Sequence, residues 1–225
     1  MFKHLAIIPD GNGRWACMRG LERAEGHRQG AKKVLPLIGK VRECGIGCLS
    51  FYALSTENFD REAAEVSALQ DTMQRFLEAS ILPFATQNSI RLSFLGRRDR
   101  INDGFARLMR VAEEETADND GLKVNFAVDY GGRDEIARAL NHCRHTDKEL
   151  YCYKDIEKYF YTADLPDPDV MLRYGGYKRL SNFMPLQCAY AELMFTEKLW
   201  PDFDPGDIDE VIRNYEKIKR NFGKV

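Results

Sequence analysis

No stretch of this 225-residue chain approaches the roughly 20 consecutive apolar residues that a bilayer-spanning helix needs, so membrane contact is expected to be peripheral at most. Charge of one sign is also missing. With 33 Lys/Arg against 35 Asp/Glu the formal net charge is −2, which gives no general attraction to nucleic acid. The six cysteines, at 17, 44, 48, 143, 152 and 188, show no paired spacing, and only four apolar residues near the start resemble a secretory h-region. Reduced thiols and a cytoplasmic location are the expectation. His142, Cys143, His145 and Cys152 crowd one segment, but their spacing matches none of the usual zinc sites, and the segment reads as a polar loop. There is no internal repeat, no low-complexity tract and no Pro/Gly/Ser-rich linker, so one domain over 1–225 is the simplest parse. The chain has neither a Lys-Ser/Thr phosphate cradle nor a Gly-x-Gly-x-x-Gly pattern, which argues against a nucleotide enzyme built on either.

What is present suits a large core: 44% of residues are apolar and 11% aromatic. Apolar runs with β-branched and aromatic residues recur at 5–8, 48–54, 90–95, 123–129 and 169–173. Between them, helical periodicity predicts helices over 30–44, 62–81, 101–117, 133–145 and 207–220; in the second, Val66, Leu69, Met73, Phe76 and Leu77 recur at spacings of three and four. Segment 146–168 reads as a short helix followed by a loop. Strand–helix alternation with connections of this length predicts an α/β fold, a mostly parallel central sheet flanked by helices, with ligands at the carboxyl ends of the strands.

Three segments follow strands and carry chemistry. In Asp10-Gly11-Asn12-Gly13-Arg14 two glycines let main-chain N–H groups approach a ligand, and Arg14, Arg19, Arg23, His27 and Arg28 follow closely. Residues 1–50 carry nine Lys/Arg against four Asp/Glu, a local positive charge that suits an anionic ligand. A carboxylate facing a phosphate is repulsive unless a divalent cation lies between them, so Asp10 is read as a magnesium ligand. Ser55-Thr56-Glu57-Asn58-Phe59-Asp60-Arg61 either holds a head group or supplies a helix cap through Ser55 or Asp60. In the third segment Arg173, Arg179 and Ser181 offer donors that suit phosphate oxygens. Asp129-Tyr130-Gly131-Gly132-Arg133 adds a tight turn into a helix, and Glu192 is by composition a surface charge.

Taken in order, His4 to Ala16, Gly26-His27, Tyr52 to Asn58, Glu65 to Leu69, Tyr130 to Arg133, Arg179 to Phe183, Ala189 to Glu192 and Leu199 to Phe203 resemble the motifs of the cis-prenyltransferases, typified by undecaprenyl diphosphate synthase. That resemblance implies a fold with an apolar substrate tunnel, a homodimer, and Mg2+-dependent coupling of an allylic prenyl diphosphate to isopentenyl diphosphate with a Z double bond and release of pyrophosphate. It places Asp10 and Glu192 at the metal. Gly11, Asn12, Gly13, Arg14, Arg23 and His27 surround the allylic head group, and Asn58 and Arg61 assist proton loss and leaving-group departure. Ser55, Arg173, Arg179 and Ser181 join the substrate-binding set, the last three at the acceptor diphosphate. Met73, Phe76, Leu77 and Phe84 serve equally as tunnel lining or ordinary core.

The chain departs from the family pattern. Tyr177 stands where the family has Glu, Tyr174 replaces a small Thr or Ser, Pro9 stands before Asp10 in place of Met, Phe59 replaces Trp, Met184-Pro185-Leu186 replaces a Leu-Leu-Trp-like stretch, and Asn221 stands for Arg. The lavandulyl-type synthases, which use dimethylallyl diphosphate as acceptor in irregular head-to-middle coupling, resemble this chain in lacking that Glu and in having Pro before Asp. Regular elongation is the leading expectation, with irregular coupling behind it. A non-catalytic partner subunit is a third reading, set back by the presence of Asp10, Arg14, Arg23, His27 and Asn58.

Overall fold

The computed structural model describes residues 1–143 and 152–219. Six strands, β1 (His4–Ile8), β2 (Cys48–Ser55), β3 (Arg91–Leu95), β4 (Lys123–Tyr130), β5 (Val170–Arg173) and β6 (Glu192–Phe195), form one sheet in the order β3-β4-β2-β1-β5-β6. Every pairing is parallel. The strands of a parallel sheet covered on both faces are buried all round, as all five residues of β1 are here. Alternate residues of β1 enter different cores: Leu5 and Ile7 join a large cluster with Phe51, Phe126 and Trp200, whereas Ala6 and Ile8 join a smaller one with Tyr52, Tyr130, Phe183 and Met184.

The helices are α1 (Asn12–Cys17), α2 (Arg23–Ala31), α3 (Val34–Glu43), α4 (Ala63–Phe76), α5 (Leu82–Gln87), α6 (Asp103–Glu115), α7 (Gly132–Cys143), α8 (Tyr153–Ile156) and α9 (Gly206–Glu216). The caps explain some boundaries. Asn102 opens α6 by accepting the Phe105 N–H at 2.8 Å, and Phe105, Ala106, Met109 and Ala112 then form its buried stripe.

Several expectations are corrected. The helix expected over 30–44 is two helices, because α2 leans on the loop after β1 while α3 packs its apolar face into the large core. The helix expected over 62–81 runs further, through a wide π turn at Leu77–Ile81 into α5. Pro83 has no N–H to bond back into the preceding turn, and the widened turn accommodates its ring. Strand β6 was not foreseen, since Glu192–Phe195 is short and half-exposed. Asp60 caps no helix; Glu62 precedes α4. His145, Asn221 and the predicted helix ends at 144–145 and 220 lie outside the described residues.

Candidate active site

Chain reversal between β2 and β5 on either side of β1 leaves a crevice at the carboxyl ends of these three strands, where open α/β sheets bind ligands. The loop after β1 turns on Gly11, whose φ of 109° disfavours a side chain and whose added Cβ would meet Leu199 Cδ2 at 2.8 Å. Asp10 Oδ2 accepts from Arg173 Nη2 at 2.8 Å, and its Oδ1 lies 3.4 Å from Arg14 Nη2. Arg173 ends β5 and is 4% exposed. Its Nη1 donates to the Arg179 carbonyl at 2.6 Å and to Ser181 Oγ at 2.7 Å.

These residues border a cleft of about 370 Å³. Asp10, Gly11, Asn12, Gly13, Arg14, Arg23, His27, Ser55, Asn58, Arg61, Arg173 and Ser181 all line it. Four guanidiniums around one carboxylate make the cleft electropositive. Arg173 Nε and Asn12 Oδ1 are buried there without a hydrogen-bond partner among the described residues, and Arg14 Nη2 has its 3.4 Å ion pair with Asp10 but no hydrogen bond. Buried cationic N–H groups left without a hydrogen bond are costly, and an anion's oxygens would satisfy the two donors. A magnesium ion fits the same donor set. It is commonly held by one or two carboxylates with substrate phosphates and water completing its shell, and Asp10 beside those phosphate donors supplies that arrangement. Burial, reinforced by Arg61 and Arg23, pushes the His27 imidazole below its ordinary pKa, which favours its neutral form.

Other expected residues lie differently. The Arg179 side chain is outside the cleft lining and covers the Tyr177 ring at 4.0 Å. That ring also meets Arg14 at 4.6 Å and Arg173 at 5.8 Å, so the position of the missing Glu is filled by an aromatic face among three cations. Asn58 Oδ1, the atom a proton-accepting role would use, accepts the Ser55 N–H at 2.9 Å. Arg61 pairs with Glu65 at 2.9 Å while still lining the cleft. Glu192 is not brought together with Asp10. It pairs in register with Val170 and through it with Leu5, near the start of β1, whereas Asp10 follows the end of that strand. Glu192 is not among the residues lining the cleft. Tyr174 turns away from the cleft, because successive strand residues face opposite sides. It is buried against Trp200 and donates to Asp207 Oδ2 at 3.0 Å.

Sequence reading missed the groups that brace these loops. Arg100 Nε donates to the buried Asp129 Oδ2 at 2.9 Å, its guanidinium lies 4.4 Å from the Phe59 ring, and its Nη2 reaches the Thr56 carbonyl at 3.5 Å. Gly26 and Gly30 are also structural. A Cβ at Gly26 would lie 1.9 Å from the Asn12 carbonyl oxygen, and one at Gly30 would lie 2.0 Å from Asn12 Oδ1. The four-residue spacing of these glycines on one helix face was the available signal.

Below the cleft lies an apolar cavity of about 130 Å³ that shares Pro9, Asn12, His27, Ala53 and Leu69 with it. Met73, Phe76, Leu77, Phe94, Phe105 and Phe126 form part of its wall, whereas Phe84 packs on the core without lining the cavity. An anion-binding cleft that opens onto an apolar pocket can hold an amphiphile with a charged head and a hydrocarbon tail. Among the described residues no helix is long and apolar enough to cross a membrane.

A family model described as undecaprenyl diphosphate synthase matches residues 8–223. Isoprenyl transferases from Fusobacterium nucleatum and Aquifex pyrophilus are each 41% identical over 223 residues, 99% of this chain and 96% of theirs. Among solved structures, lavandulyl diphosphate synthase from Lavandula x intermedia in complex with dimethylallyl diphosphate is similar at a TM-score of 0.95 and 32% identity, covering 99% of this chain and 98% of that one. A Campylobacter jejuni protein described as an undecaprenyl diphosphate synthase is similar at a TM-score of 0.83 and 34% identity, covering 100% and 99%.

Proposed function

The chain belongs to the undecaprenyl diphosphate synthase family and is an isoprenyl transferase, and from that premise we propose that it couples a short allylic diphosphate to isopentenyl diphosphate, head to tail, with a Z-configured product and release of pyrophosphate. The observation that carries this reading is the continuity of the basic cleft with the apolar cavity. The cavity volume also supports a short donor. A cavity of about 150 Å³ accommodates benzene, so one of about 130 Å³ suits the five-carbon tail of dimethylallyl diphosphate.

Magnesium, when bound at Asp10, neutralises diphosphate charge and so assists departure of pyrophosphate. The protein's own groups do the rest. Arg14, Arg23 and His27 surround the donor head group, and the Arg14 N–H that lacks a hydrogen bond strengthens its hold as negative charge grows on the leaving oxygen. Arg173, fixed by the Arg179 carbonyl and Ser181 Oγ, holds the acceptor diphosphate beside the forming allylic cation. Tyr177 closes over these cations and limits the water that would quench the intermediate. The Asn58 amide and Arg61 line the donor side and orient the departing group. Gly11, Gly13 and Ser55 give the backbone and hydroxyl approach to phosphate oxygens.

One observation favours a second reading, irregular coupling with dimethylallyl diphosphate as acceptor: the Tyr177 ring lies among three guanidiniums where a carboxylate would stand. The lavandulyl diphosphate synthase at TM-score 0.95 supports it. Incubating the purified protein and Mg2+ with dimethylallyl, geranyl and farnesyl diphosphates, each with and without isopentenyl diphosphate, separates the two. Head-to-tail product that needs isopentenyl diphosphate supports the first reading, and coupled product without it establishes the second; mass and NMR identify both. Absence of joined product in every pairing would overturn the assignment of this cleft. We place the protein in the cytoplasm as a homodimer; the free thiols of Cys48, Cys152 and Cys188 fit the first statement, and the edge position of β6 beside exposed Tyr190 and Leu193 supports the second.

A further inference from the structure

One side chain of the acceptor loop reaches the loop that follows β2 on the donor side of the cleft. Asn182 follows Ser181 in the acceptor loop and has a φ of 66°, a conformation that Asn tolerates better than most residues. Its Nδ2 donates to Glu57 Oε1 at 2.8 Å, in the loop after β2 that carries Ser55 and Asn58. Its Oδ1 accepts the Arg133 N–H at 3.0 Å, and its carbonyl accepts the Gly132 N–H at 2.8 Å, so the same residue fastens the acceptor loop to the start of α7. Glu57 is held from the other side, where Oε2 accepts from Thr56 Oγ1 at 3.1 Å. Gly131 leaves room for this junction, since a Cβ there would lie 2.5 Å from Thr56 Oγ1 and 2.6 Å from Asn182 Nδ2.

We infer that Asn182 and Glu57 are positioning residues that set the distance between the acceptor-diphosphate loop and the donor-side loop, and thereby decide whether the allylic cation is captured by the acceptor or by water. This rests on the prenyl-transfer reading above. Neither side chain lines the cleft. Each loop keeps its own phosphate contacts without the junction, so both substrates still bind. What changes is the alignment of the reacting carbons, for which a displacement of about 1 Å costs on the order of 100-fold.

The test uses the full-length protein with Mg2+, dimethylallyl diphosphate and isopentenyl diphosphate. Glu57→Ala removes the junction and leaves the α7 cap in place. Asn182→Asp keeps the cap acceptor but sets a carboxylate against Glu57. The double variant E57Q/N182D restores a hydrogen bond of reversed polarity with the same total charge. Both single variants are expected to lower kcat for coupling by roughly ten- to 100-fold, with each KM within about threefold of the parent. The ratio of five-carbon alcohol to coupled product rises with them, because water takes the cation and releases a proton. The double variant brings that ratio back toward the parent value. An unchanged ratio in Glu57→Ala, or a double variant no better than Asn182→Asp alone, overturns the inference. Hydrogen exchange keeps it testable apart from catalysis: Glu57→Ala is expected to speed exchange at residues 55–58 and 181–183 together, and unchanged protection there overturns the junction itself. Failure of the parent protein to join any substrates would instead overturn the prenyl-transfer reading.

Discussion

Phe105 offers the sharpest test of the donor-length argument. It projects from α6 into the wall of the apolar cavity and is 1% exposed. On the scale of one benzene in about 150 Å³, or about 25 Å³ per carbon, the cavity of about 130 Å³ holds five carbons. Phe105→Ala removes six ring carbons, which on the same scale frees roughly another 150 Å³. The tail of geranyl diphosphate, with ten carbons, then fits. Burying five further carbons at about 0.8 kcal/mol each is about 4 kcal/mol, a ceiling near three powers of ten. The measurement is kcat/KM for geranyl against dimethylallyl diphosphate under saturating acceptor, and the ratio is expected to rise at least tenfold. Loss of the ring costs about 3–5 kcal/mol of stability, a fall in Tm of roughly 6–20 °C, so assays belong well below the melting temperature. Phe76→Ala, at a half-buried position on the same wall, is the milder companion. A folded Phe105→Ala protein whose ratio matches the parent would refute the claim that this cavity holds the donor tail.

Asp10→Ala is expected to cut coupling by on the order of 10³-fold or more while the protein remains folded by circular dichroism; near-parental turnover would remove Asp10 from the chemistry. Tyr177→Glu puts a carboxylate among Arg14, Arg173 and Arg179 and is expected to lower the KM for isopentenyl diphosphate by roughly tenfold, about 1.4 kcal/mol, and steady-state kinetics with both acceptors would expose an unchanged preference. His4 tests stability rather than function. Burial holds its imidazole down from 6.5 to about 4, with Nδ1–H donating to the Pro166 carbonyl at 2.6 Å and the Ser50 hydroxyl 2.8 Å from Nε2. The unfolded chain takes up this proton near pH 6.5 and the folded chain only near pH 4, so acid favours unfolding across that window. Stability from this group is complete above pH 6.5 and about 3 kcal/mol of it is lost by pH 4. Urea titrations at a series of pH values check this, with His4→Gln expected to flatten that part of the slope.

Most of the sheet and the first phosphate loop were legible because their signals are local. Leu5 to Ile8 is a continuous apolar run, and Asp10 to Arg14 follows it directly, so strand and site announce each other. Strand β6 carried no such run. Its middle residue Leu193 is exposed, and only its pairing with β5 makes Glu192–Phe195 a strand. That omission also left unread the place of Glu192 in the fold, opposite Val170 at the start of β5, since a motif matched in sequence says nothing of which end of a strand it occupies. Tyr174 and Tyr177 sit three residues apart and read alike, yet one is buried beside α9 and the other covers the cations. Alternation continued from β5 sets Tyr174, whereas Gly175 and Gly176, at φ of 89° and 78°, turn the chain before Tyr177. The braces at Arg100, Asp129 and Glu57 join residues far apart in the chain, which periodicity and spacing do not register.

The place of β1 beside β5 also governs when the protein becomes able to act. Leu5 aligns with Val170, so Asp10 emerges from the ribosome more than 160 residues before Arg173, its hydrogen-bond partner. At about 5–20 residues per second, that is an interval of roughly ten to thirty seconds during which the nascent chain displays its first loop without its counterpart. Such late, distant pairings make folding slow. They also mean that a chain terminated before β5 lacks Arg173 and Ser181, and with them one wall of the cleft.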